Sequence, residues 1–108
     1  MREDTELLRR YAEEKSEAAF AELVRRHVDL VYVVALRRVG GDARLAQDVA
    51  QGVFTALARK AAALVRHPAL GAWLFRSARF AAAQAMRAGK RRAVRVIKWL
   101  VSASAFTT

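Results

Sequence analysis

Cysteine is absent, proline occurs once, at Pro68, and no acidic residue follows Asp48 in this chain of 108 residues. Without thiols there is no disulfide, no cysteine-ligated zinc and no thiolate nucleophile. The two histidines, His27 and His67, are far apart and neither has ligand-type neighbours, so no metal site is expected. Gly40 and Gly41 lack the rest of a phosphate-binding loop. Ser77, Ser102 and Ser104 have no histidine or acid nearby in sequence to activate them. No catalytic residue, cofactor or small-molecule substrate follows from these residues, and an enzyme is not expected. No apolar run reaches the roughly 18–20 residues that cross a bilayer, so no transmembrane segment is expected. Glu3, Asp4 and Glu6 are unlike the start of a signal peptide, and a cytoplasmic location is the default.

What is present is basic. The net charge is +10, with 55% hydrophobic and 28% charged residues, a globular composition for a single domain. Residues 1–54 carry nine basic and ten acidic side chains, whereas residues 55–108 carry eleven basic and no acidic ones. A second half of net +11 calls for a polyanionic partner, either nucleic acid or an acidic membrane surface.

Alanine, leucine and arginine dominate, strand signals are lacking, and the pattern predicts an all-α fold. Leu7, Leu8 and Tyr11 give a short first helix from about Thr5 to Glu14. Ser16 N-caps a second, whose apolar positions Phe20, Leu23, Val24, Val31, Val34 and Ala35 continue to about Val39, where Gly40 and Gly41 end it. Asp42 caps a third, with Leu45, Val49, Val53, Ala56 and Leu57 in one buried stripe and an end near Val65. Residues 66–71 read as a loop because Pro68 disfavours helix at His67. A fourth helix starts around Ala72 and runs through Trp73, Leu74, Phe75, Ala78, Ala82 and Met86 to at least Ala88. Beyond Gly89, Lys90, Arg91, Arg92 and Arg95 form a basic cluster. The expected architecture is a compact three- to four-helix bundle with a basic C-terminal arm.

Two helices carry candidate binding residues. On the fourth, Arg76, Arg79 and Arg87 form a stripe at helical spacing, interleaved with Trp73, Phe75 and Phe80, which suits neutralising phosphates and stacking on bases. Phe75 is expected in the core, while Trp73 and Phe80 fit either the core or the basic face. On the third, Asp48, Gln51 and Phe54 lie three apart on a face offset from the buried stripe. An exposed phenylalanine beside a carboxylate and an amide suggests a protein-binding surface.

The string Asp48-Val49-Ala50-Gln51-Gly52-Val53-Phe54, followed after a loop by Trp73-Leu74-Phe75-Arg76-Ser77-Ala78-Arg79 and a terminal Arg/Lys cluster, resembles domain 2 of bacterial sigma factors of the extracytoplasmic-function group. The resemblance covers residues 17–92 and includes Phe20-Ala21-Glu22-Leu23 and Val31-Tyr32 with Ala35-Leu36-Arg37. It implies a transcription-initiation domain with two partners. Core RNA polymerase would be met at the β′ clamp helices by Asp48, Gln51 and Phe54. The promoter minus-ten element would be opened and held by Arg66, His67 and Pro68 of the loop and by Trp73, Arg76, Arg79, Phe80, Arg87, Lys90, Arg91 and Arg92.

Three departures modify these expectations. Gly52 stands where the family has an acid, which weakens the helix and deletes one polymerase-facing charge. Phe80 stands where a base-contacting asparagine is common, so base capture there relies on stacking. A complete member continues into a second helical domain, whereas residues 1–92 form the expected module and 93–108 a tail with no second domain. The alternatives are a stand-alone basic module binding nucleic acid nonspecifically, one that sequesters an anti-sigma partner, and a tail (Arg95 to Phe106) that docks as an amphipathic segment on a partner or membrane.

Overall fold

The structure, a computed structural model, describes residues 2–106. Its elements are α1 (Arg2–Glu14), α2 (Glu17–Arg38), α3 (Ala43–Arg59), α4 (Ala61–Leu64) and α5 (Leu70–Phe106), with no strand among the described residues. The all-α class read from the sequence is the class observed.

The chain turns where short polar residues and glycines satisfy helix ends. Ser16 Oγ accepts from the Ala19 N–H at 3.2 Å, and Asp42 Oδ1 accepts from the Leu45 N–H at 3.0 Å. Each thereby occupies one of the four free donors at a helix start. Gly40 and Gly41 both adopt positive φ, 67° and 84°, which lets the Gly41 N–H return to the Leu36 carbonyl at 2.9 Å and close α2. Lys15 takes φ 56° between α1 and α2, a left-handed conformation for a residue with a Cβ.

The core is a seam of α2, α3 and α5. Leu23, Val31 and Ala35 of α2, Leu57 of α3, and Leu74, Ala78 and Ala82 of α5 are each 0% exposed. Small residues at the buried positions Ala78 and Ala82 of α5 permit a close helix approach.

Two expectations about boundaries are corrected. The third helix does not run to Val65: it breaks at Lys60, and α4 turns Ala61 and Leu64 into the core, beside α1. No glycine or proline marks the break, which packing alone imposes. The last helix begins at Leu70, inside the expected loop. It continues past Ala88, the least extent expected, to Phe106, so the basic arm is helical. The chain is accordingly elongated, 67 Å along its long axis, with a radius of gyration of 18.5 Å against about 13 Å for a compact domain of this length. Beyond Met86 the helix leaves the core, and Val94, Val96, Ile97 and Leu100 are exposed.

Acidic side chains are spent on holding α1. His27 Nε2 and Asp4 Oδ2 lie 2.8 Å apart with both side chains largely buried, 15% and 13% exposed. Arg26 bonds Glu3 at 2.9 Å and Glu22 at 3.2 Å, Arg25 bonds Glu22 at 2.8 Å, and Arg9 gathers Glu6, Glu13 and Glu14. Tyr11 packs on Phe20 with ring centroids 4.6 Å apart, and Leu8 is buried beneath.

The hydrogen bond from Arg9 holds the Glu6 carboxyl below the usual carboxylate range, and bonds from Arg25 and then Arg26 do the same for Glu22. A carboxyl whose folded pKa is depressed stabilises the fold above its unfolded value and loses that contribution as pH falls through the folded one. The gap in urea midpoint between the native chain and Glu22→Gln is therefore expected to be full above about pH 5 and to narrow on acidification below about pH 4.5. A gap independent of pH would contradict the assignment.

Candidate functional site

Two surfaces on different helices collect the candidate residues. On α3, Asp48, Gln51, Gly52 and Thr55 are exposed along one side, and the Thr55 hydroxyl donates to the Gln51 carbonyl at 2.9 Å. Asp48, Gln51, Gly52 and Thr55, with Arg59 and Lys60 at the far end, line a shallow depression of about 640 Å³. A Cβ at Gly52 would meet nothing within 4 Å, so the glycine answers no packing need inside the domain.

Phe54 corrects the sequence reading. It is not an exposed neighbour of Asp48 and Gln51 but a core residue, 8% exposed. Steps of three residues turn about 60° short of a full helical circle, so Phe54 lies roughly 120° round from Asp48, toward α2. There it forms part of an apolar groove of about 650 Å³ between α2 and α3, with Phe20, Val24, Tyr32 and Ala50. Gln51 and Thr55 border both the groove and the depression, forming a polar ridge between them. The sequence reading gave Phe20 and Val24 only as apolar positions of the second helix and did not find this groove, which forms where α2 and α3 meet.

The second surface is the 65–69 loop and the outer face of α5. His67 shapes the loop: its own N–H donates to the Leu64 carbonyl at 2.9 Å, and its Nδ1 accepts from the Ala69 N–H at 3.1 Å. The Ala69 carbonyl then takes the Trp73 N–H at 3.2 Å, starting α5. Arg66 is exposed beside it, and Pro68 is exposed as well.

Along α5, Arg76, Arg79, Phe80, Arg87 and Lys90 are exposed and share one face by helical register. Arg92 is exposed but falls about 160° round from Arg76, so the structure does not join it to this row. The side chain of Arg91 lies outside the described residues. Phe75, expected in the core, is 38% exposed, because Leu74 takes the buried position; the Arg79 guanidinium lies over its ring, 5.5 Å from the centroid. Trp73 is half-buried against the core edge, and Phe80 is 64% exposed. Among the described residues, none of the α5 cations has an acidic partner.

The family model for sigma-70 region 2 matches residues 23–92. The chain belongs to the sigma-70 region 2 family. Searches of curated proteins and of solved structures return no match. Sigma-70 region 2 is a transcription-initiation domain, non-enzymatic, whose partners in general are RNA polymerase and promoter DNA. The match takes in the α3 ridge, the loop and the α5 row, and leaves α1 and the start of α2 outside. No helix among the described residues is long and apolar enough to cross a membrane, and no group of His, Asp and Glu among them is placed to hold a metal ion.

Because Gly52 sits mid-helix in open space, Gly52→Ala is expected to stabilise this sigma region by about 0.5–1 kcal/mol, raising Tm by a few degrees. Thermal unfolding checks this, and an unchanged or lower Tm would show that the glycine has a structural role.

Proposed function

We propose that this chain is a region 2 of the extracytoplasmic-function type that docks on core RNA polymerase through α3 and engages the promoter minus-ten element through the 65–69 loop and α5. The observation that carries the reading is the separation of two surfaces of opposite chemistry on successive matched elements. One is a polar ridge above an apolar groove, the other a row of unpaired cations.

Asp48 and Gln51 supply the directed polar contacts to the β′ clamp helices. The groove beside them, walled by Phe20, Tyr32 and Phe54, suits an apolar side chain projecting from such a coiled coil. Phe54 therefore acts from below, as the groove's wall, and its removal would cost core stability before it reported on docking. On α5, cations freed from any internal ion pair release counterions from phosphates, while His67 holds the preceding loop in one conformation. Both partners place the domain in the cytoplasm.

A double change Asp48→Arg with Gln51→Ala alters only exposed side chains. It is expected to lower retention of core polymerase at least about tenfold in a pull-down, equivalent to ~1.4 kcal/mol. Equal retention of both chains would overturn the docking assignment. A second reading is favoured by Gly52, which leaves the ridge one side chain short: a basic module that binds nucleic acid without polymerase. It predicts no retention of the native chain by core polymerase, together with salt-sensitive DNA binding.

A further inference from the structure

The side of α5 that packs the bundle does not end where the bundle does. Val96 and Leu100 follow Ala78 and Ala82 by about five full turns, so they stand on the same side of the helix. Ala78 and Ala82 are fully buried there, whereas Val96, Ile97 and Leu100 are each more than half exposed. These three, at i, i+1 and i+4, span about 100° of the helix, the pattern of an amphipathic helix that lays one face into a groove.

The α2–α3 groove has the complementary character. Phe20, Val24, Val28 and Tyr32 wall it along α2, and no residue of α5 lines it. From Phe20 to Tyr32 it runs for about 18 Å, room for about three turns of a docked helix. Asp29 stands in its lining and Asp48 just across the ridge of Gln51 and Thr55; both are exposed, and neither pairs with a cation among the described residues. Lys90, Arg92, Arg95 and Lys98 surround the arm's apolar stripe, with no acid among them. Two arms laid side by side would bring like charges together, whereas an arm in a groove brings its cations to carboxylates. Because α5 is one unbroken helix to Phe106, it carries the arm away from its own bundle, and the groove it meets belongs to another molecule.

We propose that the occupant is a second copy of this chain: residues 90–100 of one copy seat in the α2–α3 groove of the next, with Val96, Ile97 and Leu100 inward and the cations toward Asp29 and Asp48. The contact is heterologous, arm to groove, so a pair keeps one arm and one groove for further growth. Asp48 and Gln51 border the occupied groove, and association therefore withdraws them from polymerase as concentration rises. This last step rests on α3 as the docking surface; the association does not.

Sedimentation of the whole chain from about 1 to 100 µM tests the association over the range expected of a small, transient contact. The native chain is expected to gain mass with concentration, and less so as salt is raised. Ile97→Asp with Leu100→Asp disables the arm, and Asp29→Arg with Thr55→Arg places cations in the groove; all four positions are exposed, and each pair of changes is expected to weaken association at least about tenfold. Mixing the two disabled chains decides the geometry: one retains its groove and the other its arm, so a 1:1 heterodimer that grows no further is expected. Arm-to-arm pairing cannot be restored in this way. A mixture that stays monomeric, or association of the native chain that survives the groove changes, would overturn the proposal. A native chain monomeric up to about 100 µM would overturn it too, leaving the arm to a different protein or a membrane surface. With core polymerase, the chain carrying Ile97→Asp and Leu100→Asp is expected to be retained more strongly than the native chain at concentrations where the latter associates. Equal retention would overturn the masking alone, and retention of neither would overturn docking through α3 while leaving the association standing.

Discussion

The seam between α2 and α5 is closed by alanine, and much of the molecule follows from that. Ala35 on one side and Ala78 and Ala82 on the other are fully buried, which brings the helix backbones close and leaves no space for a ring. Leu74 is the one large side chain that α5 sends into the fully buried seam. Trp73, immediately before it, is displaced to the core edge, and Phe75 and Phe80 stand in solvent. An aromatic and cationic outer face on α5 is thus the counterpart of a narrow inner one. Any change that widened the seam would compete with the surface for the same rings.

Charge is divided by a similar economy. The acids of α1 are engaged with Arg9, Arg26 and His27, and α1 is fastened to α2 by Glu3 and Asp4, which lie before the family match, pairing with Arg26 and His27, which lie inside it. Among the described residues no acid pairs with a cation of the loop or α5, so those cations have no internal competitor for phosphate. Exposed ion pairs contribute little stability each, about 0–1 kcal/mol, so the arrangement matters less for folding than for which positive charges remain available.

The sequence was most legible where a local rule acts alone. Ser16, Gly40, Gly41 and Asp42 place the turns correctly because caps and left-handed glycines work within a few residues, and the stripes of α2 and α3 are read by period. It was least legible where rotation or packing decides. Phe54 shares a three-residue spacing with Asp48 and Gln51, yet two such steps carry it round to α2. Phe75 lost the core to Leu74 by a single residue of register. The break at Lys60 has no sequence marker, since burial of Ala61 and Leu64 imposes it, and the start of α5 at Leu70 lies inside the segment that Pro68 suggested as loop. The candidate site was legible as residue types on helices. The groove was not, because it exists only between α2 and α3.

Gly52 and Phe80, the two departures that the resemblance implies, have the same physical consequence on the proposed reading. Each replaces a side chain able to make a directed polar contact with one that cannot: a hydrogen atom on the polymerase side, a hydrocarbon ring on the DNA side. What remains on α3 is shape, a depression and a groove separated by one polar ridge. What remains on α5 is stacking and phosphate neutralisation, which tolerate many sequences and weaken steeply with salt. Directed contacts discriminate partners because a mismatch leaves a buried polar group unpaired, whereas shape and stacking carry a smaller penalty for the wrong partner. On that reading a domain built this way would hold its partners by fit and charge, and discrimination among promoters would fall to how readily a given sequence unpairs and not to the identity of the base that reaches α5.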